Sequence, residues 1–160
     1  MEPTISALAK LYELNTGLFQ KALSVFEPDQ IFLRPEEKAN SAHWVAGHMV
    51  TSRFTVANSI GMTETAPWGD IFEFGSEIKD ESEYPPLEEI KKAWDEVSAK
   101  LTKHFSKVTE ETLQGPPPFE PPGMEKNVRG ILSFMYMHET YHLGQLGYLA
   151  RLHGHGRLFG

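Results

Sequence analysis

The chain has 160 residues, which fits one domain and leaves little for a second. Its 15 Lys and Arg against 22 Asp and Glu give a net charge of −7. With no basic run to displace counterions from a phosphate backbone, it is a poor nucleic-acid binder. It has no cysteine, which removes disulfides, thiolate metal ligands, iron–sulfur clusters and a thiol nucleophile, so any metal must sit on His, Asp or Glu. The start, Met1-Glu2-Pro3-Thr4, shows no basic region followed by an apolar stretch, and no apolar run is long enough for a membrane span. The expectation is a soluble, cytoplasmic protein with neither membrane nor nucleic-acid partners.

Four stretches carry helical periodicity. The first is predicted over 4–26: Ile5, Leu8, Leu11, Tyr12, Leu18, Phe19, Ala22, Leu23 and Phe26 recur at three-and-four spacing and stop before Pro28. The second, over 41–60, follows Asn40 or Ser41 as cap and carries Trp44, Val45, His48, Met49, Val56 and Ile60 before Gly61. The third, over 86–108, is the most cleanly amphipathic, with Ile90, Trp94, Val97, Leu101 and Phe105 on one face. Glu88/Lys92 and Glu96/Lys100 stand as charge pairs on the other. The fourth, over 127–153, opens at Asn127, ends at Gly154, and includes two histidines in its apolar stripe.

Between the second and third helices lie residues 61–85, and between the third and fourth a stretch holding Pro116, Pro117, Pro118, Pro121 and Pro122. Connections of this length point to an all-α four-helix bundle with long crossover connections, forming a single domain over 1–160. No period-two run of β-branched residues suggests a sheet, and no internal repeat is visible.

His138 and His142 are four residues apart, so on a helix both imidazoles project from one face, in phase with Ile131, Met135, Leu146 and Leu149. A lone His on an apolar stripe is ordinarily a hydrogen-bonded core residue, but an in-phase pair can converge on one ion. Zinc-like ions need a third ligand from another helix, and His48, in register with Trp44, Val45 and Ser52, supplies it. Three imidazoles leave a coordination position open for water or substrate. His43 lies about 140° around the helix from His48 and is expected to face solvent. His104, His153 and His155 are expected to be surface residues.

Residues His138-Glu139-Thr140-Tyr141-His142 also match H-E-x-x-H, the zinc-protease helix whose Glu is the general base. The continuations that motif needs are absent: Gln145 and Tyr148 stand where a metzincin has Gly and His, and residues 143–160 contain no Asp or Glu. Glu139 therefore reads as a base or as a charged residue at the bundle edge. A ferritin-like di-iron reading of Glu139-x-x-His142 lacks its second copy, since Val45 and Leu101 stand three before His48 and His104.

The segments Asn40-Ser41-Ala42-His43-Trp44-Val45-Ala46-Gly47-His48 and His138-Glu139-Thr140-Tyr141-His142-Leu143-Gly144-Gln145-Leu146 resemble the second- and fourth-helix motifs of the DinB/YfiT-like superfamily. The resemblance implies a four-helix bundle, a divalent metal on His48, His138 and His142, and frequently a homodimer. It also implies relatives that include transferases using low-molecular-weight thiols such as bacillithiol or mycothiol, thiol-dependent isomerases and hydrolases.

The leading functional expectation is an enzyme whose metal, zinc or nickel with iron or manganese next, activates a thiol or water to act on a small molecule. The alternative is a non-catalytic metal-binding or sensing bundle. Tyr141, Trp44 and Arg53 are candidates to line the pocket or hold an anionic substrate. Tyr141 and Arg53 equally suit packing and surface roles.

Overall fold

The computed structural model describes residues 3–158. Five helices follow in order: α1 Pro3–Leu23, α2 Ala42–Ser59, α3 Leu87–Phe105, the short α4 Glu110–Gln114, and α5 Val128–Leu152. Two single turns of 3-10 helix, Gly69–Ile71 and Glu81–Glu83, punctuate the connection between α2 and α3, and there is no strand among the described residues. The four expected helices are all present, within three residues at each end. The added α4 is capped by Thr109, whose hydroxyl accepts from Thr112 N, a short helix that the proline-rich stretch masked.

Caps fix the two helices that carry His48, His138 and His142. Ser41 accepts from Trp44 N to start α2, and Asn127 accepts from Gly130 N to start α5. Around the bundle, α5 packs between α1 and α2, while α3 packs between the same two on the opposite side. Consequently α1 to α2 and α3 to α5 are diagonal steps, whereas α2 and α3 are neighbours. The crossovers are therefore the connections 24–41 and 106–127. The connection 61–85, expected to cross over, instead folds back over the outer side of α2.

That fold-back changes the character of α2. Fourteen of its 18 residues are buried, so it is not a two-faced surface helix like α3. Phe72 drops from the connection onto Gly47, where any Cβ would come within 2.3 Å of its ring, so glycine is what admits the contact. His43, expected in solvent, is 1 % exposed. It stacks on Phe32 with centroids 4.3 Å apart, and its Nε2 donates to the Pro85 carbonyl at 2.9 Å. It lies on a different face of α2 from His48, and that face is covered by chain from both flanking connections.

α3 behaves as its periodicity suggests, burying Ile90, Trp94, Val97, Leu101 and Phe105. Its outer charges pair differently from expectation: Lys91 meets Glu88, Lys92 meets Glu96, and Lys100 reaches Glu64 of the preceding connection at 2.7 Å.

Candidate metal centre

The α2–α5 packing brings His48, His138 and His142 together. His48 Nε2 lies 3.2 Å from His138 Nε2, His142 Nε2 lies 3.1 Å from the same atom, and the three potential ligand nitrogens are all within 4.8 Å of one another. For nitrogen ligands at ~2.0–2.1 Å from a shared ion, neighbouring ligand atoms stand roughly 2.9 Å apart on an octahedral face and roughly 3.3 Å apart at a tetrahedral centre. The observed contacts fall in that interval.

Proton bookkeeping points the same way. The Phe72 carbonyl, 2.6 Å from His48 Nδ1, can only accept, so His48 carries its proton on Nδ1 and its Nε2 lone pair is bare. His142 Nδ1 likewise donates to Gln145 Oε1 at 2.7 Å. Both lone pairs aim at His138 Nε2, whose single hydrogen could serve only one of them. Shifting that hydrogen to His138 Nδ1 leaves it buried with no acceptor. Three converging imidazole nitrogens therefore exceed what their own protons can satisfy, and a cation resolves the excess.

The electrostatics keep the imidazoles in the neutral, ligating form. Burial lowers the pKa of all three. His138 and His142 drop to about 4, burial acting first and the neighbouring imidazoles adding to it, while the Phe72 carbonyl partly opposes the fall at His48.

The centre forms the floor of a cavity of about 840 Å³, into which both long connections project: Glu73 and Phe74 from one, Phe119 and Glu120 from the other. Trp44 stacks on His48 with ring centroids 4.9 Å apart and nearly parallel planes. Tyr141, 61 % exposed, forms part of the wall, and its hydroxyl accepts from Gln145 Nε2 at 3.2 Å. Trp44 and Tyr141 thus stand where expected.

Arg53 does not. It is 1 % exposed and directs its guanidinium away from the cavity, Nε donating to Glu139 Oε1 at 2.6 Å and Nη2 to Oε2 at 2.8 Å. Arg53 therefore holds no substrate anion. Glu139 is neither general base nor edge residue, because it is wholly buried on the side of α5 turned toward α1. The H-E-x-x-H match is a coincidence of two roles, imidazoles on one face and a structural carboxylate on another.

His104 donates to the Ile60 carbonyl and His155 pairs with Gln30, so both stand apart from the centre. The residues that spacing alone did not single out are Gln145 and the Phe72 carbonyl. Gln145 sits three positions after His142, within reach on a helix, whereas the carbonyl has no side-chain signal other than Gly47 marking the close approach.

Residues 11–146 match the family model of the DinB superfamily. The chain belongs to the DinB superfamily. Solved structures that share its fold include two from Bacillus subtilis. A DinB-like protein of Bacillus subtilis superposes with a TM-score of 0.60 at 20 % identity, covering 97 % of this chain and 94 % of that one. YfiT from Bacillus subtilis superposes with a TM-score of 0.71 at 12 % identity, covering 98 % and 91 %, and is described as a probable metal-dependent hydrolase with an unusual four-helix bundle topology. At these identities the DinB likeness speaks for the fold. No curated protein matches the chain.

Proposed function

We propose that this DinB-superfamily protein is a metal-dependent enzyme in which His48, His138 and His142 hold one divalent transition metal and a small molecule reacts in the cavity above it, as a hydrolase or thiol S-transferase. The observation that carries the reading is the convergence of three imidazole nitrogens, two of them with their second nitrogen already committed to an acceptor, on the floor of an open cavity. The description of YfiT as a probable metal-dependent hydrolase supports the same class of chemistry.

A divalent ion at this position supplies Lewis acidity and eases deprotonation of a water or thiol at neutral pH. The chain does the rest. Phe72 and Gln145 fix the tautomer and orientation of His48 and His142, which raises their donor strength. Trp44 covers one face of the His48 ring against water. Because the Tyr141 oxygen already accepts from Gln145, its own O–H is left to donate toward a substrate in the cavity. The open cavity, with no fourth His, Asp or Glu in the His cluster among the described residues, favours this reading over a closed sensing or structural site.

The expected assembly is a two-fold homodimer. The exposed stripe of Met137, Tyr141, Tyr148 and Leu152 along α5 supports it, and light scattering at micromolar concentration giving the mass of a single chain would reject it. Among the described residues no helix is long and apolar enough to cross a membrane.

Elemental analysis of untagged protein purified without chelators tests the function directly. About one equivalent of a divalent transition metal is expected, followed by turnover in a screen of activated esters and amides or of small thiols with electrophiles. A protein that takes up no divalent ion overturns the reading.

A further inference from the structure

The cavity over the imidazoles is lined by aromatic and acidic side chains, by the uncharged polar Asn40, Thr51, Ser52, Thr55 and Gln145, and, among the described residues, by no Lys or Arg. Its two charged residues other than histidine are Glu73 and Glu120. Glu120 is matched by Lys126 at 2.8 Å on the outer surface, while Glu73 makes no ion pair among the described residues. The guanidinium that the sequence places nearby, Arg53, has all three nitrogens engaged, by Glu139, Thr16 and Ser98, and is sealed in the core. Lys38 lines an adjoining cavity of about 810 Å³ that shares Asn40, Tyr141 and Gln145 with this one, accompanied there by Glu36.

Carboxylate and phosphate groups are recognised by Arg forks, Lys or clustered backbone N–H groups. A substrate tail of that kind entering this cavity meets Glu73 instead. Trp44, Phe74, Phe119, Phe134 and Tyr141 present ring surface suited to apolar groups and to ammonium groups through cation–π attraction. Phe74 is 97 % exposed at the rim, a position that becomes favourable for an apolar ring when a ligand covers it.

We infer that the molecule processed here is a small aromatic or branched apolar compound, uncharged or cationic away from its reacting group, and that thiols or substrates with carboxylate or phosphate tails are disfavoured. The inference rests on the metal reading above, which places the reacting group at the three imidazoles. Within that reading it favours water, or an uncharged thiol, over a carboxylate-bearing thiol as the nucleophile.

The test uses zinc-loaded full-length protein and three phenylacetohydroxamates that differ only in the para substituent: methyl, ammoniomethyl or carboxylate. Calorimetric titration at pH 7.5 is expected to give the methyl and ammoniomethyl compounds at least tenfold tighter binding than the carboxylate. Glu73→Gln, at an exposed position, is expected to narrow the ammonium-over-carboxylate ratio several-fold. Equal or tighter binding of the carboxylate to metal-loaded protein overturns the inference and leaves the metal reading standing. Failure of all three compounds to bind metal-loaded protein at millimolar concentration overturns it as well. If zinc itself is not retained, both readings fall together.

Discussion

Arg53 and Glu139 form a two-pronged ion pair with neither side chain open to solvent, and through it all four long helices meet. Arg53 comes from α2 and Glu139 from α5. Asn15 of α1 donates to Glu139 at 3.3 Å, and Thr16 of α1 and Ser98 of α3 each accept from Arg53 at 3.1 Å. The guanidinium also lies 4.0 Å over the Trp94 ring, which stacks in turn on Phe19. Burial raises the Glu139 carboxyl above its ordinary pKa, and Arg53 and Asn15 pull against that rise.

Removing one member leaves the other charge buried alone. Arg53→Met is expected to lower stability by about 3–5 kcal/mol in urea denaturation, and the double variant Arg53→Met/Glu139→Met to recover a substantial part of the loss. Strictly additive effects of the two single substitutions would show that the pair is not energetically coupled.

At the metal centre, His48→Ala, His138→Ala and His142→Ala are each expected to reduce metal occupancy sharply, while His155→Ala leaves it near wild type. Because an ion that binds only the folded chain stabilises it by mass action, a chelator should lower the melting temperature of the wild type but not of His142→Ala. His48→Ala binding one equivalent at wild-type affinity would show that the third ligand lies elsewhere. His43→Ala is not a neutral control, since His43 is packed against Phe32 and hydrogen-bonded to Pro85.

Gln145 orients His142 without touching the ion. Gln145→Ala is expected to weaken metal binding by roughly 10–100-fold with little change in helix content, the usual scale for loss of a partner behind a ligating imidazole. Competition with a chromophoric chelator measures this, and unchanged affinity would remove Gln145 from the site.

Gly47→Ala tests the contact that brings Phe72 over α2. The new methyl would overlap the Phe72 ring, and moving that ring disturbs the carbonyl that accepts from His48. The expected outcome is about 1–3 kcal/mol of destabilisation together with weaker metal binding. Full stability with wild-type affinity would mean that the ring can shift without consequence.

The buried histidines give a pH dependence with a definite sign. Burial lowers His43 from 6.5 to about 4, so it stays neutral in the folded chain where the unfolded chain would protonate it. Between pH 6.5 and 4 the unfolded state binds more protons, and stability is lost as the pH falls through that window. In chelator-treated protein His138 and His142 act in the same direction. Chemical denaturation at pH 7 and pH 5 should show a drop, with His43 contributing on the order of 1 kcal/mol and His43→Gln flattening the difference by that amount.

Local patterns carried much of this molecule. The three-and-four spacing of α1, α3 and α5 and the caps at Ser41 and Asn127 made the helices legible, because amphipathic periodicity and capping act within a few residues. The spacing of His138 and His142 fixed them on one face by helix geometry alone, and the choice of His48 needed only that α2 and α5 pack against each other. What local pattern could not carry was anything set by a distant segment. Helix geometry gives His43 and Glu139 their angles, yet burial at those angles depends on Phe32, Phe72 and Pro85 in one case and on Arg53 and Asn15 in the other. The Phe72 carbonyl that orients His48, the cavity rim built by Phe74 and Phe119, and the diagonal steps between helices arise from where the long connections settle. The backbone of those connections has no periodicity to declare its course, so only the packed tertiary structure decides which side chains share the site.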